Sequence, residues 1–338
     1  MKVVAFSIKP FEKEFLAKAN QKKHDITLIS NPLSLSTTFY AEGKDAVIVF
    51  TNDDVSAPVI KKLADLGIKF IATRSSGTDH IDKIAAEKNG ILVANAPTYS
   101  AQATAEHTLA LALALNRHLI KADRHSRQFD FRNDRLIGFN FSGKTVGLIG
   151  MGSTGQAVAK IFNGMGCKVI GYDLHFPDNL KDVEKVTLSK LLSTADVISL
   201  HLPLTAYTRH IINDDTLSQM KEGVMLINTS RGALINTVDL LHALKYDKVA
   251  YLGLDVYEYE KGLFFEDHED DQVKDELLSD LMSQPNVLIT PHQAYLTREA
   301  LQDIANQTIK NLDVWQEKKC ACDDCDGDKN CKSKEVAK

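Results

Sequence analysis

The chain has 338 residues, 44% hydrophobic and 25% charged, an ordinary make-up for a globular protein and enough length for two cores rather than one. A net charge of −5 argues against a nucleic-acid surface, which needs a basic face, but leaves room for a local basic pocket around a small anion. The most apolar helical run, 109–115, is too short to cross a bilayer, so no membrane association is expected.

Residues 1–10 read as a strand rather than a signal peptide, because they lack a long apolar stretch and a small-residue cleavage site. The cytoplasm is the expected compartment. Short apolar runs at 3–8, 27–29, 46–50, 70–73 and 91–94 read as strands, with helical patterns at 57–65 and 81–88 between them. The runs are continuously apolar rather than alternating, as in parallel sheets covered on both faces. Ser100 then fits an N-cap for a helix over 101–119, apolar on nearly every side and therefore buried.

A second α/β series follows, with strands expected at 145–149, 168–172, 197–202, 224–228, 249–254 and 287–290. Regular β–α alternation implies right-handed crossovers and a doubly wound parallel sheet. A helix over 298–315 should pack back on the first α/β unit. The expected organisation is therefore a discontinuous substrate domain (1–100 with 298–317), a Rossmann domain inserted at 101–297, and a polar tail at 318–338. No repeat of fixed short period is visible.

Gly150-Met151-Gly152-Ser153-Thr154-Gly155 follows the strand at 145–149 and leads into a helix expected to start near Gln156. In that context GxGxxG is a dinucleotide turn. Gly150 allows the tight turn, Gly152 lets a pyrophosphate approach, and Gly155 lets the helix pack on the strand. Ser153 and Thr154 open the helix, whose N-terminus favours an anion. Asp173 closes the next strand and suits a ribose; no arginine stands beside it to receive a 2′-phosphate, so NAD is expected rather than NADP.

Ligands of open α/β sheets bind beyond the carboxyl ends of the strands. Arg231 follows the strand at 224–228, Asp255 and Glu260 follow 249–254, and His292 follows 287–290. Taken singly, the histidine suits a structural strand end, the arginine a surface ion pair, and the glutamate a solvated site. Together, beside a nucleotide turn, they are what hydride transfer to a 2-keto acid requires. A histidine gives the developing alkoxide its proton, a carboxylate orients that histidine, and an arginine grips the substrate carboxylate in a bidentate fork.

On these residues the chain resembles the D-isomer-specific 2-hydroxyacid dehydrogenase family, over nearly the whole length up to about residue 316. The resemblance implies a flavodoxin-like substrate domain, NAD as cofactor, a 2-keto or 2-hydroxy acid as substrate and a homodimer. It makes Arg231, Glu260 and His292 the catalytic set, and puts Asp255 near the nicotinamide amide. It also marks Ser76 and Gly77, in Arg74-Ser75-Ser76-Gly77-Thr78-Asp79, as backbone donors to the substrate carboxylate, and His107 as a structural hydrogen-bonding residue. The D-lactate branch looks nearest, through Asp255-Val256-Tyr257-Glu258-Tyr259-Glu260, the long acidic link after it, and aromatics at Phe50, Tyr99 and Tyr295 that would wall a small pocket. Two alternatives stay open: an enzyme for longer 2-keto acids, and an NADH-sensing interaction protein on the same scaffold.

Of five cysteines, Cys167 stands alone and reads as a small core residue. Cys320, Cys322, Cys325 and Cys331 crowd the end. Four thiolates could hold zinc, but CxCxxC…C is not a zinc-ribbon spacing and no apolar unit surrounds it. A mobile polar tail without metal is the expectation.

Overall fold

The computed structural model describes residues 1–97, 101–270 and 275–323, with 318–323 described by backbone alone. Two compact units emerge: Met1–Tyr99 with Leu301–Lys338, and Ser100–Ala300.

The first unit holds β1 (Lys2–Ala5), α1 (Glu12–Asn20), β2 (Asp25–Leu28), β3 (Ala46–Val49), α2 (Ala57–Asp65), β4 (Phe70–Thr73), α3 (Lys83–Lys88) and β5 (Leu92–Ala94). Its sheet is parallel throughout, in the order β2-β1-β3-β4-β5, the flavodoxin-like order. One face packs Val4, Val47, Val49 and Ile71 against Val59, Ile60 and Leu63 of α2. The other packs Val3, Ala5, Ile48 and Ala72 against Leu16 of α1 and against Ile309, Leu312 and Trp315 of the last helix.

The second unit holds α4 (Ala101–Asn116), α5 (Leu119–Arg127), β6 (Thr145–Ile149), α6 (Ser153–Gly164), β7 (Lys168–Tyr172), β8 (Glu184–Lys185), α7 (Leu188–Thr194), β9 (Val197–Leu200), α8 (Asp214–Ser218), β10 (Val224–Asn228), α9 (Thr237–Lys245), β11 (Val249–Leu254), α10 (Glu276–Ser283) and β12 (Val287–Ile289). The sheet runs β12-β11-β10-β9-β6-β7-β8, again all parallel. This is the Rossmann order with one added edge strand, and its direction reverses between β6 and β9. Every residue of β9 and β10 is buried, which explains why they are apolar apart from Ser199 and Asn228. The α4 helix lies on this sheet: Leu111 and Leu115 come within 3.3 Å and 3.2 Å of where a Cβ on Gly253 would sit. Finally α11 (Arg298–Asp323) returns the chain to the first unit.

Several expected boundaries moved, each for a local reason. The helix expected over 101–119 ends at Asn116, because His118 takes a left-handed φ of 49° and α5 starts afresh at Leu119. The helix expected near Gln156 begins at Ser153, with Gly152 as its N-cap. Edge strand β8 carries two exposed residues and no hydrophobic signal. The polar segment expected from 318 continues as helix through Asp323, as Lys318, Lys319 and Ala321 favour. Cys320 and Cys322 therefore lie on helical backbone, while Cys325 and Cys331 lie outside the described residues, as do Tyr99 and Ser100. Cys167 is 8% exposed, its thiol donating to the Phe141 carbonyl at 3.3 Å. Among the described residues no helix is long and apolar enough to cross a membrane, and no group of three or more His, Cys, Asp or Glu could hold a metal ion.

Candidate active site

The glycine turn lies at the reversal point of the larger sheet. Gly150 has φ +103°, and a Cβ there would fall 2.2 Å from the His201 carbonyl oxygen, so only glycine fits between β6 and β9. A Cβ on Gly155 would fall 2.1 Å from the Gly150 carbonyl oxygen, which fixes how closely α6 meets the turn. At Gly152 a Cβ would meet nothing within 4 Å, so the backbone is open to an approaching group. No side chain caps α6, which leaves the first-turn N–H groups, including those of Ser153 and Thr154, available to an anion.

Asp173 follows β7 and faces this turn. One carboxylate oxygen accepts from the Met151 amide at 2.6 Å and the other from the His175 amide at 2.8 Å. These features fit a dinucleotide: an open glycine backbone for the phosphates and an acid at the end of the second strand for a ribose. His201, just past β9, was passed over in the sequence. Both ring nitrogens are buried without a hydrogen-bond partner, and burial pushes the imidazole down to about 3, so it is neutral. Its position beside the reversal point was the available clue.

At the far strands the chain builds a histidine–carboxylate pair. His292 Nδ1 lies 2.9 Å from Glu260 Oε1, and Glu260 Oε2 accepts from the Tyr257 amide at 3.1 Å. With Glu260 ionised, Nδ1 is the donor and Nε2 is left for chemistry. The ring is edge-on to Tyr295 at 6.5 Å between centroids and 5.5 Å from Phe265. His292 has a left-handed φ of 53°, a conformation costing a bulky residue roughly 1–3 kcal/mol.

Asp255 holds that conformation in place. It is fully buried. Oδ1 accepts from Thr290 Oγ1 at 2.6 Å and from the Gln293 amide at 2.8 Å, and Oδ2 accepts from the Ala294 amide at 2.8 Å. The Asp255 carbonyl accepts from the His292 amide at 2.8 Å. Asp255, expected near the nicotinamide amide, spends its carboxylate oxygens on the turn that presents the histidine. His107 joins the cluster from α4, with Nε2 2.9 Å from Thr290 Oγ1.

Arg231 sits on the turn after β10. Asn228, fully buried, donates to the Arg231 carbonyl at 2.8 Å and accepts from the Ser230 amide at 3.0 Å. The next residue, Gly232, abuts the Tyr257–Glu258 peptide so tightly that a Cβ would fall 2.0 Å from Tyr257 C. The turn bearing Arg231 is thus packed directly on the loop bearing Glu260.

In the first unit the 74–79 loop is braced from below. Arg74, 2% exposed, donates to the Phe6 and Ser7 carbonyls at 3.0 and 3.2 Å and pairs with Glu12 at 3.2 Å. Asn95 donates to the Ser76 carbonyl and Ser75 Oγ to the Gly77 carbonyl, both at 2.7 Å. Among the described residues neither the Ser76 nor the Gly77 amide donates a hydrogen bond. Phe50, expected on a pocket wall, is 3% exposed and lies 5.3 Å beneath the Arg74 guanidinium.

Comparison with known proteins decides what this arrangement belongs to. The family model described as the D-isomer specific 2-hydroxyacid dehydrogenase NAD binding domain matches residues 109–294. The chain belongs to the D-isomer-specific 2-hydroxyacid dehydrogenase family. It is 44% identical to D-lactate dehydrogenase kk1H of Curvularia clavata, over 93% of this chain and 92% of that one. It is 43% identical to 2-hydroxyacid dehydrogenase A of Aspergillus oryzae, over the same shares. The crystal structure of the Aquifex aeolicus D-lactate dehydrogenase complexed with NAD and lactic acid superposes with a TM-score of 0.86 at 33% identity, covering 94% of this chain and 96% of that one.

As a member of this family the protein is an oxidoreductase acting on 2-hydroxy acids, with a Rossmann NAD-binding domain. The described structure brings Glu260 and His292 into contact and lays the Arg231 turn against the Glu260 loop. The family resemblance did not single out Glu258, two residues before Glu260. Its side chain is only 2% exposed and is hydrogen-bonded to His210 and Thr237. Burial pushes its carboxyl up, but those hydrogen bonds outweigh burial and leave it below the usual carboxylate range.

Proposed function

We propose that this dehydrogenase interconverts pyruvate and D-lactate with NAD as a cytoplasmic homodimer. The supporting observation is the 2.9 Å contact between His292 Nδ1 and Glu260, made on a turn clamped by Asp255. It leaves Nε2 of a held imidazole as the one nitrogen able to exchange a proton with substrate. Relatives named D-lactate dehydrogenase point to the substrate.

Gly150, Gly152, Ser153, Thr154 and Gly155 would hold the NAD phosphates, with the ribose on Asp173. Bound there, NAD supplies the hydride to C2 of the keto acid, or takes it back in the reverse direction. In reduction, His292 Nε2 gives its proton to the carbonyl oxygen as that oxygen becomes the hydroxyl. Glu260 aligns the ring and balances its charge. The Arg231 guanidinium receives the substrate carboxylate in two parallel hydrogen bonds and polarises the carbonyl. In the first unit the Ser76 and Gly77 amides are open to a carboxylate, and in the second Tyr295, edge-on to His292, would serve as an aromatic wall. Dimer formation is supported by the large apolar side chains exposed after α5: Phe129 and Phe131, 85% and 72% exposed and 6.2 Å apart between ring centroids, and Ile137, 79% exposed, as at surfaces that contact a partner.

The test is NADH oxidation with a panel of 2-keto acids, followed by both lactate enantiomers in reverse. Pyruvate should have the highest kcat/KM, and only D-lactate should be oxidised. A second reading, preference for longer 2-keto acids, is favoured by the broader name of the Aspergillus oryzae relative; it prevails if phenylpyruvate or 2-ketoisocaproate outruns pyruvate. NADH binding without turnover of any keto acid would instead favour a nucleotide-sensing role.

A further inference from the structure

The loop from Asp255 to Glu260 carries two glutamates with separate partners. Glu260 reaches His292. Glu258 is buried, and four donors converge on it: the Thr237 amide at 3.0 Å and Thr237 Oγ1 at 2.9 Å, His210 Nε2 at 2.6 Å and Arg209 Nη2 at 3.4 Å. Thr237 is the first residue of α9, where the helix dipole also favours a negative charge. His210 is itself fixed: its amide donates to the Ala233 carbonyl at 2.9 Å, and its carbonyl accepts from Asn213 at 3.0 Å. Its backbone is left-handed, with φ 53°.

The Tyr257–Glu258 peptide is therefore pinned on two sides. The Glu258 side chain ties it to His210 and α9, and Gly232 presses on it from the Arg231 turn with no room for a methyl group. The same segment supplies the amide that steadies Glu260, from Tyr257 at 3.1 Å. Any displacement of Glu258 reaches both Glu260 and the seat of Arg231.

We propose that Glu258, held by His210 and the start of α9, is the positioning residue that sets Glu260 against His292 and Arg231 in register beside them. It touches no reacting atom and acts through its neighbours. The proposal rests on the keto-acid reductase reading above.

The experiment compares E258Q, H210A and H210Q with the unaltered protein, using pyruvate reduction and NADH binding followed by fluorescence. E258Q keeps the shape of the side chain and removes its charge. Its kcat/KM for pyruvate should fall roughly 10–100-fold, the scale of an ångström-sized misplacement, while NADH affinity stays within about twofold because the glycine turn is untouched. H210A should lose activity in the same pattern. H210Q, whose amide still donates to Glu258, should recover most of that loss. An equal loss of NADH affinity in E258Q, unimpaired pyruvate reduction in E258Q, or H210Q no better than H210A each overturns the positioning role. If E258Q does not fold, the H210A and H210Q pair decides alone. If the unaltered protein reduces no 2-keto acid at all, the underlying reading fails instead.

Discussion

His292 combines two demands that seldom meet in one residue. Its ring must be free at Nε2, and its backbone must stay in a conformation that costs energy. The Asp255 clamp answers the second demand, so chemistry and folding can be separated by mutation. Asparagine tolerates left-handed backbone but has no transferable proton. H292N should therefore keep NADH affinity and lose turnover by roughly two to four orders of magnitude, as removal of a general acid does. Near-normal kcat would remove His292 from the proton path. The residues that sequence made visible, Arg231, Glu260 and His292, each follow a strand end and belong to a reaction with a known set of needs. Glu258 and His210 were not visible. They stand 48 positions apart, and only the fold shows that one buries the other's charge.

At the scale of elements, apolar runs gave strand positions well because buried parallel strands admit few polar residues. The expected 57–65 helix and the strands at 70–73, 145–149, 168–172, 224–228 and 249–254 coincide with observed elements. The break at His118 was not legible, since a single left-handed residue leaves no periodic trace. The extension of α11 was hidden because polar composition was read as disorder although the residues favour helix. The glycine turn was legible in kind, but the second duty of Asp173 was not. Asp173 was expected to select a ribose, and it also accepts from the Met151 amide of the turn. D173S should therefore do two things: weaken NAD binding by loosening the turn, and narrow the preference for NAD over NADP by removing the repelling charge. Measured kcat/KM with both cofactors checks this. Weaker NAD binding with unchanged discrimination would leave Asp173 a structural role only.

Across the whole molecule, buried ionisable groups set the response to acid. His201 is pushed down to about 3 when folded and titrates near 6.5 when unfolded. Between those values the unfolded chain binds the extra proton, so stability rises with pH there and is lost as pH falls below about 6.5. Glu258, held below its usual range, adds a loss at lower pH still, once it is protonated. Thermal unfolding should shift to lower temperature from pH 7 to pH 5, and H201Q should flatten that slope. An unchanged slope would mean that His201 is not the controlling group. The returning helix is a separate determinant of stability. Trp315 stacks on Phe70 at 4.8 Å between ring centroids, and Asp313 pairs with Lys23 and with the buried His24, both at 3.0 Å. W315A should destabilise the first unit by about 3–5 kcal/mol, as truncation of a buried aromatic does, while leaving the Ser100–Ala300 unit able to bind NADH. Loss of NADH binding in step with the first unit would refute that independence.

The return of α11 also has a consequence for how the protein is made. Strand β5 ends at Ala94, and α11 starts at Arg298. At about 5–20 residues per second, a ribosome needs on the order of 10–40 s to cover the roughly 200 intervening positions. For that interval the sheet face formed by Val3, Ala5, Ile48 and Ala72 lacks the Ile309, Leu312 and Trp315 cover that completes it. Nascent chains should therefore be most vulnerable to aggregation while the inserted unit is being translated, and slower elongation late in the message should lower the yield of active enzyme.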